Sequence, residues 1–339
     1  MDEKRGKVNE VASICEKYNI TAREISKINS GSSNVNYLIS SNEKVYILKC
    51  MPKSYYPEGF VEFQNRLTLF LIENNIVFVP NVPINDQYVI EDESSYWQLR
   101  EYNSDVVELD MGELRQIAIA ARNLAYIHAL SSCVSRERLF LFARWNEKNS
   151  KKRLDKLKKI IKHFLGEATA TEMMLHYERI INSAEMRTFA KYTFASSIIH
   201  GDFHAGNLFF KNDQLVQIID WDTARINASV FDFAKALYLI TRVDHGIFEN
   251  DQEKMLVFCK NYFSIRNITF DELQTVPFIL ELNYIPEPEY LVTFGNDEEK
   301  IRWYLQWTFM ASKMVRLRFA TKYYTVIKKL KGKDYERRF

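Results

Sequence analysis

Residues 198–208 read Ile-Ile-His-Gly-Asp-Phe-His-Ala-Gly-Asn-Leu, an apolar pair that runs into a turn dense in polar side chains and out into a second apolar run. Asp202 and Asn207 offer oxygen acceptors there, Asp220 follows at the end of Leu-Val-Gln-Ile-Ile, and Asp222 comes two residues later. An oxygen-only set of this size suits a Mg²⁺ ion that keeps some of its waters and borrows phosphate oxygens from a substrate. Zinc prefers nitrogen and sulfur. His200 and His204 have four-residue spacing but would need a helix to chelate zinc, and Gly201 between them opposes one. Gly, Asp and Asn also build ordinary turns; the joint spacing of the carboxylates and the amide is what sets this stretch apart.

The elements that must position these residues follow from periodicity. Residues 8–18 read as a short amphipathic helix, and ITAREISKINS and NYLISS as two strands of a hairpin around Gly31, Ser32, Ser33 and Asn34. KVYILKC is a third strand ending near Lys49, and FVEFQNRLTLFLIENN a helix that stops before VPNVP. QYVIEDES and YWQLREY are a further strand pair, and the β pattern ends between Asn103 and Gly112. From 113 onward helices dominate: Leu114, Ile117, Ala118, Ala121, Leu124, Ala125 and His128 share one stripe. Further helices are expected at 147–165, 167–194, from about 229, and from about 297 to the end. Short strands at SSII, NLFF and LVQII interrupt them. The expected fold class is α+β, with a small antiparallel-sheet lobe carrying one main helix over residues 1–103 and a larger, mainly helical lobe over 104–339.

Composition removes several alternatives. Only ten of 339 residues are glycine, and no stretch supplies a dinucleotide fingerprint or a Walker loop; Gly201 and Gly206 have the Walker spacing but are followed by Asn207 and Leu208. Lys and Arg number 46 against 44 Asp and Glu, so no whole-molecule field steers the chain toward nucleic acid. Cys15, Cys50, Cys133 and Cys259 form no C-x-x-C pair, which suggests neither a zinc site nor a disulfide framework. The charged start MDEKRGKVNE lacks a signal core, and no run of about 18 apolar residues spans a membrane. A reducing cytoplasm is the expected setting.

His-x-Asp-x4-Asn, followed by a metal-binding Asp on a later strand, is the catalytic-loop frame of protein kinases. Ile-Asp-Trp-Asp stands here where those enzymes carry Asp-Phe-Gly. IIHGDFHAGNLFF, IIDWDTARINASVFDFAKALY and LAYIHAL resemble the aminoglycoside phosphotransferase, choline kinase and type II homoserine kinase superfamily, and within it the spore-coat-associated CotS-type kinases and the antibiotic kinases. The resemblance covers residues 30–240. It implies a two-lobed protein-kinase-like fold and an ATP- and Mg²⁺-dependent kinase that phosphorylates a hydroxyl of a small molecule. Asp202 would be the catalytic base, and Asn207 and Asp220 the metal ligands. Asp222 would be a second-metal ligand or a solvated turn carboxylate. His128, His200 and Asp232 would brace the loop. Lys49 would pair with the α- and β-phosphates, Ser32 and Ser33 would cover them, and backbone groups near Glu101 and Tyr102 would read adenine. The helix glutamate expected to pair with Lys49 is a departure: Glu62 is the only early carboxylate, while the expected place falls nearer Gln64.

Two surface features complete the reading. Lys148, Lys151, Lys152, Arg153, Lys156, Lys158, Lys159 and Lys162 surround an apolar stripe, the pattern of a polyanion-binding helix or of a solvated face on a core-packed one. Glu281, Glu287, Glu289, Asp297, Glu298 and Glu299 lie in the lobe that binds acceptors in this superfamily, and as a lining they would favour a cationic acceptor. The alternative to an enzyme is a kinase-fold binding or structural protein such as a spore coat component, which the thin phosphate turn and the displaced glutamate would suit.

Overall fold

The computed structural model describes residues 2–28, 34–56, 58–130, 150–189, 196–295 and 297–332, and the chain divides into two units, Met1–Val106 and Val107–Phe339. In the first, α1 (Asp2–Lys17) precedes the strands β1 (Glu24–Ile28), β2 (Val35–Ser40) and β3 (Val45–Pro52). Next come α2 (Phe60–Glu73), β4 (Ile90–Glu91) and β5 (Ser95–Glu101). The strands form one antiparallel sheet in the order β1-β2-β3-β5-β4. Val11, Ile14 and Cys15 of α1 pack on Ile39, Leu48, Trp97 and Leu99 from alternating strand positions. On α2 the buried residues Gln64, Leu67, Thr68 and Leu71 keep helical spacing. The expected Ser32–Ser33 turn lies outside the described residues.

The second unit opens with β6 (Val107–Glu108), which pairs with β8 in a stretch too short to leave a period in the sequence. Helix α3 (Leu114–Leu130) then buries Ile117, Ala121, Leu124, Ala125 and His128 on one face. Helices α4 (Ser150–Leu165), α5 (Glu167–Ile181) and α6 (Ala184–Phe189) follow. The single helix expected over 167–194 breaks at Asn182 and Ser183, where Ser183 Oγ accepts the Met186 N–H and restarts it. Strand β7 (Ser196–Ile199) pairs with β10 (Arg225–Ala228), a strand the periodicity does not announce. Between them, β8 (Leu208–Lys211) and β9 (Gln214–Ile218) form a hairpin turned by Asn212 and Asp213, both with positive φ, as a two-residue type I′ turn requires.

Helices α7 (Ser229–Ile240), α8 (Gln252–Phe263), α9 (Phe270–Gln274), α10 (Val276–Asn283) and α11 (Pro288–Leu291) come next. The long terminal helix is α12 (Glu298–Met314) continued as α13 (Ala320–Lys331) through one wide turn at Val315–Phe319. Leu157 and Ile161 of α4 pack with Met173 and Tyr177 of α5 and Leu305 of α12. The lysine-rich helix is thus fixed in the core by its apolar stripe, with Lys151, Lys152, Lys158 and Lys159 exposed on the other side. Among the described residues no helix is long and apolar enough to cross a membrane.

Candidate active site

Strand β7 ends at Ile199, and the loop that follows is held from below by one carboxylate. Asp232, in the first turn of α7, accepts the His200 N–H through Oδ2 at 2.7 Å and the Gly201 N–H through Oδ1 at 2.9 Å. His128 Nε2 lies 3.2 Å from the same Oδ2, and its Nδ1 lies 2.7 Å from the Tyr262 hydroxyl. With Nε2 donating to the carboxylate, Nδ1 is left to accept from Tyr262. The His200 ring bridges the loop to β9: Nδ1 accepts the Asp202 N–H at 3.2 Å, and Nε2 donates to the Ile219 carbonyl at 2.9 Å. Burial pulls both histidines below their ordinary value of 6.5, so each is the neutral tautomer this network needs. Gly201, at φ 84°, is required twice over. Its backbone is left-handed, and a Cβ would sit 2.7 Å from the Thr223 carbonyl and 2.8 Å from its hydroxyl.

Asp202 projects from the braced loop with its side chain about one-third exposed, beside two cationic or donor groups. Lys235 Nζ lies 2.7 Å from Asp202 Oδ1 and donates to the Gly201 carbonyl at 2.9 Å, while His204 Nε2 is 3.4 Å from Oδ2. Burial opposes ionisation of Asp202, but the Lys235 ammonium and His204 outweigh it and hold the carboxyl well below the usual carboxylate range. Sequence reasoning missed Lys235. Its spacing three residues after Asp232 places it on that residue's helix face, but its contact with Asp202 is made only by the fold.

The hairpin register brings the oxygen ligands of the sequence reading to one end. Leu208 pairs with Ile218, so Asn207 and Asp220 flank the same end of β8 and β9, and the Ile219 N–H donates to the Asn207 carbonyl at 3.0 Å. Asn207 Nδ2 donates to the Asp202 carbonyl at 2.9 Å, which commits the amide nitrogen to the loop and leaves Oδ1 as the group able to face a cation. Asp220 has φ 67° and ψ 54°, an uncommon left-handed conformation outside glycine. Asp222 is buried in the following turn at Trp221–Thr223. No group of three or more His, Cys, Asp or Glu able to hold a metal occurs among the described residues.

The remaining expected residues lie in the first unit. Lys49 sits on β3 between Asn36 and Gln98. Glu62 pairs with Arg66 at 2.7 Å on the exposed side of α2, whereas Gln64 faces inward. Glu101 ends β5 opposite Tyr46 and pairs its carboxylate with Lys44. The Tyr102 N–H donates to the Val45 carbonyl at 2.9 Å, so of that residue's backbone only the carbonyl is left for a ligand.

Most carboxylates of the acidic stretch over 281–299 are engaged within the protein, while Glu299 is exposed. Arg316 lies 2.9 Å and Arg179 4.0 Å from buried Glu281, and Arg153 lies 3.3 Å from Glu287 and 2.9 Å from Glu289. Asp297 caps α12, and Glu298 pairs with Arg302. These carboxylates therefore do not form an unneutralised lining.

Three solved structures share this fold over nearly their whole length. A microcompartment-associated aminopropanol kinase is 15% identical, with a TM-score of 0.67 and coverage of 93% of this chain and 98% of its own. An amicoumacin kinase, solved in complex with AMP-PNP, Ca²⁺ and Ami, is 12% identical, with a TM-score of 0.64 and coverage of 92% and 96%. A choline kinase from Streptococcus pneumoniae is 14% identical, with a TM-score of 0.58 and coverage of 93% and 99%. No curated protein matches the sequence at a significant level. Residues 24–255, well over half of the chain and including every loop residue described above, match the phosphotransferase enzyme family. The chain belongs to that family and is a phosphotransferase.

Proposed function

We propose that this protein transfers the γ-phosphoryl group of ATP, with Mg²⁺, to a hydroxyl of a small molecule in the cytoplasm, and that Asp202 aligns that hydroxyl. The observation that carries this reading is the pairing of an anionic Asp202 with Asn207 and Asp220 at one end of the β8–β9 hairpin. A carboxylate held well below its ordinary range is a weak base, so its main contribution is to accept the hydroxyl's hydrogen bond and orient a lone pair toward phosphorus. It takes the proton only as the new oxygen–phosphorus bond forms and the bond to the bridging oxygen of ADP breaks. Asn207 Oδ1 and Asp220 would hold the divalent ion, with Asp222 behind them; bound there, the ion would neutralise phosphate charge. Lys49 would meet the α- and β-phosphates, Ser32 and Ser33 would cover them, and backbone near Glu101 and Tyr102 would meet adenine.

The lobe assignment follows: Met1–Val106 would bind the nucleotide, and Val107–Phe339 would carry catalysis and the acceptor. Nucleotide and metal bound to related kinases support the choice of cofactors. A cationic acceptor loses support from the acidic stretch, most of whose carboxylates are paired internally. The test is an ATP-consumption screen over hydroxyl-bearing small molecules, with Asp202→Ala as the comparison. Turnover should fall by about 10²- to 10⁴-fold while Mg-ATP still raises the melting temperature. Near-normal turnover in the variant would remove Asp202 from the reaction, and no stabilisation of the wild type by millimolar Mg-ATP would favour a binding or coat protein.

A further inference from the structure

Beyond the catalytic loop, the second unit buries an arginine that meets no carboxylate. Arg242, just past α7, is 7% exposed. Its guanidinium carbon lies 5.4 Å from the Tyr238 ring centre, 5.8 Å from that of Phe248 and 6.0 Å from that of Trp307. Among the described residues no carboxylate lies within ion-pairing distance of it. The nearest in sequence are engaged elsewhere: Glu249 pairs with Lys322 at 2.9 Å and Arg318 at 3.8 Å, and Asp244 accepts the His245 N–H. A guanidinium stays charged at every accessible pH, and aromatic faces offset only part of its lost hydration. Buried charges are ordinarily paired.

Two further donors stand open beside it. The hydroxyls of Tyr238 and Tyr284 are buried without hydrogen-bond partners, as is Arg242 Nε. The two tyrosine rings are 5.6 Å apart, and Tyr284 lies 5.6 Å from Trp307. Burial raises both hydroxyls, Tyr238 to about 12, so each keeps its proton to donate. Tyr284 also lies within electrostatic range of Asp202 as well as Arg242, which ties the cluster to the catalytic loop. Toward solvent, the half-buried Trp307 stacks on Trp303, which is 56% exposed.

We propose that Arg242, Tyr238 and Tyr284 seat a carboxylate of the acceptor, so that the molecule phosphorylated is a hydroxy acid rather than an amino alcohol or amino sugar. Three unpartnered donors in one buried cluster are the kind of groups a carboxylate's two oxygens would satisfy, and the surrounding rings would exclude water from the pair. The same cation among the rings repels an ammonium group from the place it would otherwise occupy. The proposal rests on the kinase reading for the word acceptor, but not for the seat itself.

The experiment uses the full chain with ω-hydroxy carboxylates of three to six carbons, beside amino alcohols and diols of matched length. Phosphorylation is measured with Mg-ATP, and binding of the corresponding unhydroxylated carboxylates is measured calorimetrically without nucleotide. Hydroxy carboxylates should be the substrates, and Arg242→Gln should raise their KM by roughly 100-fold, the scale of a lost charge-assisted hydrogen-bond pair, with kcat changed far less. Arg242→Lys should recover part of that loss. Preference for amino alcohols, or an unchanged KM in Arg242→Gln, would overturn the carboxylate seat while leaving the kinase reading intact. If nothing is phosphorylated, the kinase reading fails and binding still decides: carboxylate binding that disappears in Arg242→Gln supports the seat, and no binding to the wild type refutes it.

Discussion

The brace beneath the loop that carries Asp202 and the arginine cluster beyond it are both buried and polar, yet they are built on opposite terms. Around Asp232 every polar atom has a partner: two backbone N–H groups and His128 on the carboxylate, and Tyr262 behind the histidine. Around Arg242 the guanidinium Nε and two tyrosine hydroxyls have none. Low dielectric strengthens a satisfied network and penalises an open one. The first arrangement therefore holds the fold together, whereas the second costs stability until something outside the chain completes it. That contrast separates structural from binding residues without reference to any substrate.

The largest expected difference comes from cutting each network at its charge. Asp232→Ala leaves the His200 and Gly201 N–H groups and His128 unpaired in the interior, and should cost about 3–5 kcal/mol, read as a lower urea midpoint at unchanged slope. Turnover should fall as well, because Asp202 hangs from the same loop. Arg242→Gln should leave the midpoint unchanged or raise it, since no protein partner is orphaned by the loss of its charge. An Arg242 variant as damaged as the Asp232 variant would break the comparison.

How much of this was legible in the sequence follows the range of each interaction. The polar turn at His200–Asn207, the carboxylate at Asp220 and the stripe from Ile117 to His128 are local patterns of turn chemistry and period, and they stand where they were read. Strands β6 and β10 escaped because a two- or four-residue strand leaves little periodicity, and their partners lie far along the chain. Lys235 escaped because its meaning depends on Asp202, which only the fold brings to it. The pairing of the acidic stretch escaped for the same reason: Arg153, Arg179 and Arg316 reach it from α4, α5 and the wide turn after α12. Composition shows the charges but not their pairing.

A smaller and more selective effect separates the regions by pH. Burial lowers His128 and His200 in the brace, and lowers His176 on α5 to about 4. Each is neutral in the folded protein, so the unfolded chain takes up protons first. Stability is complete above the ordinary value of 6.5 and declines as pH falls from there toward the folded values, by about 1 kcal/mol at pH 5.5 for His176. Asp202 and Asp232 have folded values below 3.8, and their contributions fade only as pH falls from there. In the arginine cluster Tyr238 titrates only near 12. Urea midpoints from pH 7.5 to 5.5 should fall, and His176→Gln should flatten the slope. A flat wild-type profile would show that these histidines are not held neutral.

The finest comparison removes one atom from each region. Tyr262→Phe and Tyr284→Phe delete the same hydroxyl from two buried tyrosines at nearly constant volume. In Tyr262 that oxygen lies 2.7 Å from His128 Nδ1, so its loss strands the imidazole nitrogen in the brace and should cost about 1–2 kcal/mol. In Tyr284 the hydroxyl has no partner, so its loss relieves a desolvated donor and should change stability by no more than about 0.5 kcal/mol, or increase it. Function should reverse the order: Tyr284→Phe weakens carboxylate binding several-fold, while Tyr262→Phe leaves it alone. Equal stability costs in the two variants would mean that the Tyr284 hydroxyl is already satisfied by ordered water, and the case for an open donor in the cluster would then rest on Arg242 alone.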